Sequence, residues 1–149
     1  MKLRVYIDTS VFSAYYDDRA TDRQEETEGL WGRLGEFEVS TCDLTLEELA
    51  LTPDPGKRAS LQDLLKGIII HPITEQMRIL ARQYINRGVF SALTLNDALH
   101  VAAAVLTRQD VLISWNFKHL VNRRRRAKIN EVNISLDLPT IDIVAPPEI

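Results

Sequence analysis

Three acids in the 149-residue sequence, Asp8, Glu48 and Asp97, stand where carboxylates could do chemistry. Asp8 closes the apolar run Leu3-Arg4-Val5-Tyr6-Ile7 and is followed by Thr9 and Ser10. Glu48 lies in Thr45-Leu46-Glu47-Glu48-Leu49, and Asp97 in Thr94-Leu95-Asn96-Asp97. Carboxylates gathered at one rim repel one another unless a cation neutralises them. Oxygen ligands without cysteine suit Mg²⁺ or Mn²⁺, which bind through a few carboxylates, waters and substrate phosphate. Such an ion lowers the pKa of a bound water and offsets charge on a phosphoryl transition state, so phosphodiester hydrolysis is the natural reaction. Each acid also has a structural reading. Asp8 can be a turn residue, and Thr45-x-x-Glu48 and Thr94-x-x-Asp97 both fit a capping box. The sequence offers no glycine-rich phosphate loop and no nucleophile elbow, and His71, His100 and His119 are widely separated.

The surrounding pattern predicts how these acids are held. Leu3–Ile7 reads as a buried first strand with Asp8 at its carboxyl end, the place where open parallel sheets bind ligands. Ser10 is expected to cap a short helix, Val11–Tyr16. Thr21–Phe37 is an amphipathic helix with Trp31 in the core, Phe37–Cys42 a strand, Thr45–Leu51 a helix ended by Pro53 and Pro55, and Lys57–Leu65 another helix. Ile68–Ile70 follows as a strand, then helices Thr74–Asn86 and Thr94–Leu106, strand Val111–Ser114 and an edge strand Ile141–Val144. Strands alternating with helices predict an α/β protein: a three-layer α/β/α sandwich around a mostly parallel sheet of about five strands, in a single domain spanning 1–149.

Composition narrows the field. With 45% hydrophobic and 26% charged residues the chain suits a globular domain, and a net charge of −3 gives no global pull on nucleic acid. Basic attraction must then be local. Arg123, Arg124, Arg125 and Arg126, with Lys118 and Lys128, form the one acid-free basic segment, a phosphate-binding surface or a solvated helix face. The single cysteine, Cys42, excludes an internal disulfide and reads as a buried apolar residue. The amino-terminal residues do not resemble a secretory signal, and Ala98–Leu106 is too short to span a bilayer, so a cytoplasmic protein is expected.

Tyr6-Ile7-Asp8-Thr9-Ser10-Val11-Phe12, Leu44-Thr45-Leu46-Glu47-Glu48-Leu49 and Leu95-Asn96-Asp97-Ala98-Leu99-His100-Val101-Ala102 together resemble the successive acidic motifs of PIN domains, including toxins of the VapC type. The resemblance runs along nearly the whole chain. It implies a metal-dependent ribonuclease with an α/β/α fold, with Asp8, Glu48 and Asp97 as metal-binding acids and, in the toxin branch, a small antitoxin as partner. A homodimer, an RNA substrate and no membrane association are the accompanying expectations. Glu47 is a neighbouring alternative to Glu48. Family members often carry a further acid after the fourth strand, where this chain reads Ser114-Trp115-Asn116-Phe117-Lys118-His119. The segment resembles a PIN subgroup with Trp-Asn-x-Lys-His, and Asn116 is then the residue that would position water or substrate.

Ser10 and His100 are further substrate-binding candidates; on position alone His100 reads as a surface or cap-adjacent histidine, and Trp115 as a core residue rather than a stacking platform. Two rivals to a nuclease follow from the same residues. One is a non-catalytic module that keeps the acidic rim and binds nucleic acid or protein. The other, a phosphotransferase with Asp8 as nucleophile, would need an acid where Ser10 stands.

Overall fold

The computed structural model describes residues 1–149. Strand β1 (Leu3–Ile7) leads into helices α1 (Thr9–Tyr15) and α2 (Thr21–Trp31), then β2 (Phe37–Cys42), α3 (Asp43–Ala50) and α4 (Pro55–Asp63). Strand β3 (Ile69–His71) is followed by α5 (Glu75–Asn86), α6 (Leu95–Leu106), β4 (Val111–Ile113), α7 (Arg123–Ser135) and β5 (Asp142–Val144). All neighbouring strands are parallel, in the order β3-β2-β1-β4-β5. The predicted sheet is therefore present, fully parallel rather than mostly so.

Its register explains the apolar runs. Val5 of β1 sits between Val39 of β2 and Val111 of β4, and Ile7 pairs with Ile113. Val5, Tyr6, Ile7, Leu112, Ile113 and Ile143 are buried, as strands covered on both faces must be. Helix α6 crosses β2 and β4 and packs along α5. Its Ala102, Ala103 and Ala104 are buried, and such small side chains let a helix approach a sheet closely.

The sheet order reverses at β1: the chain moves outward to β2 and β3, then returns to the other side for β4 and β5. In open α/β sheets that reversal opens a crevice at the carboxyl ends of the two central strands. Asp8 and Ser114 occupy it, and the Asp8 amide donates to the Ile113 carbonyl at 3.2 Å.

Several sequence expectations are corrected. Helix α2 stops at Trp31, with Gly32 as its C-cap and a 3-10 turn over Leu34–Glu36, so the helix does not reach Phe37. Trp31 is half-buried, edge-on to Phe12 and Tyr15. Strand β3 is displaced by one residue, to Ile69–His71, and β5 begins at Asp142 because the Ile141 amide is taken by Asn130 Oδ1 at 2.9 Å. Helix α7 was hidden in the basic run. It is capped by Asn122, whose side chain accepts from the Arg125 amide at 2.8 Å, and it buries Ile129, Val132 and Asn133. No helix is long and apolar enough to cross a membrane.

Candidate active site

Asp8 is the N-cap of α1, replacing Ser10 in the role expected from sequence. Its carboxylate is only 3% exposed, and both oxygens have partners. Oδ1 accepts from the Ser10 amide at 3.1 Å and the Ser10 hydroxyl at 2.6 Å, and Oδ2 accepts from the Ser114 hydroxyl at 2.7 Å. Each serine is fixed in turn from the loop after β4. Ser10 Oγ accepts from the Trp115 amide and Ser114 Oγ from the Asn116 amide, both at 2.9 Å. Burial raises the Asp8 pKa, opposed by the charge of His100 and by the two serine hydrogen bonds.

Neither capping box forms. Helix α3 begins two residues earlier than Thr45, at Asp43, so Thr45 is a buried internal residue whose hydroxyl lies 2.8 Å from that of Thr41. The Thr94 hydroxyl turns back to Ser91 across a 3-10 turn and makes no cap bond to α6. Glu48 and Asp97 are thereby free of the backbone duty that sequence allowed them. Glu47 is exposed, whereas Glu48 is half-buried and turned inward, which separates the two.

Glu48 Oε1 accepts from Thr9 Oγ1 at 2.8 Å and pairs with His100 Nε2 at 2.8 Å. His100 is buried, not on the surface. Its Nδ1 lies 2.7 Å from the Tyr6 hydroxyl, which donates to Cys42 Sγ at 2.9 Å. Both ring nitrogens are therefore engaged within the fold, and the role expected for His100 in substrate binding gives way to one in supporting Glu48. Burial alone would lower the His100 pKa; the neighbouring Cys42 sulfur, the bond to Glu48 and the Asp8 charge outweigh that and lift it to about 10. Burial would raise Glu48, but the bond and charge of His100 and the Thr9 hydroxyl hold it below the ordinary carboxylate range.

Asp97 lies in the first turn of α6, half-buried. Burial and then the Asp8 charge push its pKa upward, Glu48 adds to this, and His100 and His119 oppose it. The three acids thus share one electrostatic neighbourhood. No group of three or more histidine, cysteine, aspartate or glutamate side chains is gathered into a ready metal cage. Mg²⁺ does not require one, because it commonly uses one or two carboxylates and completes its shell with water and phosphate. The donor set fits: Asp97 offers hard oxygens, Asp8 keeps one lone pair on Oδ2 beside the Ser114 bond, and Glu48 retains its second oxygen while the first is held by Thr9 and His100.

Asn116 follows Ser114 and its backbone amide donates to that hydroxyl, but its side-chain oxygen accepts from the His119 amide at 2.9 Å, which leaves its NH₂ group without a partner. His119 Nδ1 is buried without a hydrogen-bond partner. Trp115 is buried as expected, its indole N–H donating to Thr27 Oγ1 at 2.9 Å. The basic run does not act as one surface. Arg125 donates to the Val89 carbonyl, and Arg126 to the Ile143 carbonyl at 2.7 Å with Asp142 alongside, whereas Lys118, Arg123 and Arg124 remain exposed. Successive helical residues point about 100° apart, so four adjacent arginines cannot share a face.

The PIN domain family model matches residues 5–116, and the chain belongs to that family. Among solved structures it is similar to VapBC-1 from nontypeable Haemophilus influenzae, with a TM-score of 0.63 and 14% identity over 97% of this chain and 99% of that one. FitAcB from Neisseria gonorrhoeae gives a TM-score of 0.62 at 15% identity, covering 97% of this chain and 99% of that one. VapC20 of Mycobacterium tuberculosis, a sarcin-ricin loop cleaving toxin, gives 0.63 at 15% identity, covering 77% of this chain and 92% of that one. No curated protein matches the chain in sequence.

Proposed function

We propose that this PIN domain is an endoribonuclease that hydrolyses RNA phosphodiester bonds with Mg²⁺ or Mn²⁺, and that it is the toxin of a toxin-antitoxin pair. The observation that carries the reading is that Asp8, buried at the sheet reversal, shares its neighbourhood with Asp97, whose ionisation is opposed first by burial and then by the Asp8 charge. Burying acids within reach of one another is unfavourable, and a bound cation is the simplest compensation. In this reading Asp8 and Asp97 hold the ion, and Glu48 supports it through the oxygen not taken by Thr9 and His100. The ion supplies a water of lowered pKa and a counter-charge for the phosphoryl group. Ser10 and Ser114 keep Asp8 oriented, the Asn116 amide faces substrate or water, and Lys118, Arg123 and Arg124 draw the strand toward the rim. The similarity to toxin-antitoxin complexes supports a small protein partner. Assembly of two copies belongs to the same reading, and light scattering after size exclusion measures it.

One observation favours a second reading. His100 already balances the charge of Glu48, and Asn116 stands where an acid is often found, so the rim carries less free negative charge than three acids would suggest. A non-catalytic module binding RNA or protein is consistent with that. Incubating an unstructured RNA of mixed sequence with the protein in Mn²⁺, Mg²⁺ or chelator decides between them. Metal-dependent cutting supports the nuclease; retention of intact RNA in every condition supports the module.

A further inference from the structure

Beside Ser10 and Asn116 a cleft of about 310 Å³ opens between α1, α2 and the loop after β4, and Arg23 and Trp115 also line it. Arg23 differs from most arginines of this fold. Its guanidinium carbon lies 5.3 Å from the Trp115 ring centre and 5.4 Å from that of Phe117, so two aromatic faces hold it. Arg4, Arg33, Arg58, Arg125 and Arg126 all give N–H groups to backbone carbonyls. Arg23 makes no side-chain hydrogen bond and pairs with no acid, which leaves its donors available. Asp17, the acid lining the cleft, is occupied by Arg19, at 2.9 Å through Nε and 3.1 Å through a terminal nitrogen.

The platform beneath Arg23 is rigid and continuous with the acids. The Trp115 indole is pinned to Thr27, one turn after Arg23 on α2, and its backbone amide to Ser10 Oγ, which itself donates to Asp8. Phe117 is 46% exposed and edge-on to Trp115, which leaves part of its ring open to solvent. A preorganised guanidinium with free donors, next to an exposed aromatic ring and stacked on a tryptophan that two hydrogen bonds link to the Asp8 carboxylate, has the chemistry of a single-stranded nucleic-acid contact.

We propose that this cleft, together with the Phe117 ring beside its Arg23 and Trp115 wall, is an RNA subsite flanking the cleaved bond, in which Arg23 takes a backbone phosphate and Phe117 stacks on the adjoining base. The inference rests on the nuclease reading for its substrate, and a binding measurement keeps the two separable. It also answers the electrostatic difficulty of the rim: a polyanion approaching three acids needs a fixed cation close by, and the arginines of α7 are only partly free to supply it.

The experiment is fluorescence anisotropy of a short labelled unstructured RNA with the full chain in chelator, over a series of salt concentrations. Arg23→Ala is expected to weaken binding roughly tenfold and to lower the slope of log affinity against log salt by about 0.7, one phosphate contact on a single strand. Phe117→Ala is expected to weaken it about fivefold or more with no change in slope. Arg23→Lys keeps the charge but not the fork or the stacking, and falls between wild type and Arg23→Ala. Arg78→Ala, an exposed arginine on α5 without a hydrogen bond, is the control for loss of surface charge. If Arg23→Ala and Phe117→Ala bind RNA no more weakly than Arg78→Ala, the subsite is overturned, whatever those variants do to a protein partner. RNA that binds through Arg23 but is never cut keeps the subsite and removes the nuclease. RNA that is cut equally well by wild type and Arg23→Ala, with unchanged affinity, does the reverse.

Discussion

The pairing of His100 with Glu48 carries the strongest consequences at the scale of single residues. Removing one member of a buried pair leaves the other charged and uncompensated. His100→Ala is expected to lose about 2–3 kcal/mol of stability in chemical denaturation, below the full buried-pair cost because the Glu48 carboxylate retains some solvent. The same pairing fixes a pH dependence. His100 has a folded pKa of about 10, above its ordinary value of 6.5, so the folded state binds the extra proton more tightly than the unfolded chain. Its stabilising contribution is complete below the ordinary histidine pKa and lost as pH rises through the folded one. The melting temperature should therefore fall between about pH 7 and pH 10. In His100→Gln that part of the slope should be absent; an unchanged slope would mean that His100 is neutral in the fold. Asp8 is shifted in the same direction, since burial raises its pKa and its contribution also falls as pH rises, but here it is the charged form that costs stability. Asp8→Asn keeps the shape and sheds the charge, so it should fold with a melting temperature equal to or above wild type in metal-free buffer while losing catalysis.

At the scale of elements, what the sequence made legible depended on whether periodicity or charge dominated a segment. Helices α5 and α6 carry apolar residues at three- and four-residue spacing, and both were found near their true bounds. Helix α7 was not, because Arg123–Arg126 and Lys128 outweigh Ile129 and Val132, and only the Asn122 cap was left as a cue. The capping boxes misled for a different reason. A Thr three residues before an acid fits a cap on paper, but β2 runs directly into α3 at Asp43, which moves Thr45 inside the helix. His100 was misjudged because the residues that bury it, Tyr6, Cys42 and Glu48, are distant in sequence. Helix α6 yields a packing prediction. Ala102 and Ala104 are fully buried, so Ala102→Leu should cost about 1–3 kcal/mol by overpacking, measured by denaturant unfolding. A variant as stable as wild type would show that α6 is not held closely against the core.

For the whole molecule, the order β3-β2-β1-β4-β5 puts the reversal of the sheet beside Asp8, while α3 brings Glu48 to Thr9, next to Asp8, and α6 brings Asp97 within the field of both acids. Residues far apart in the chain reach one neighbourhood because parallel strands return every carboxyl end to one side. Strand count and parallel pairing could be read before the fold was known, and so could the places of the three acids near strand ends and helix starts; their part in holding a metal is proposed. The serine bracket around Asp8, the imidazole behind Glu48 and the stacked Arg23 could not be read so, since each depends on contacts between separate elements. The account stands most directly on one comparison: cleavage of an unstructured RNA in Mn²⁺ by wild type, Asp8→Asn and Asp97→Asn, with folding of each checked by circular dichroism. It predicts that wild type cuts, that chelator stops it, and that each variant is slowed by roughly a hundredfold or more, the loss of several kcal/mol of charge stabilisation. Folded variants that cut as fast as wild type would contradict it.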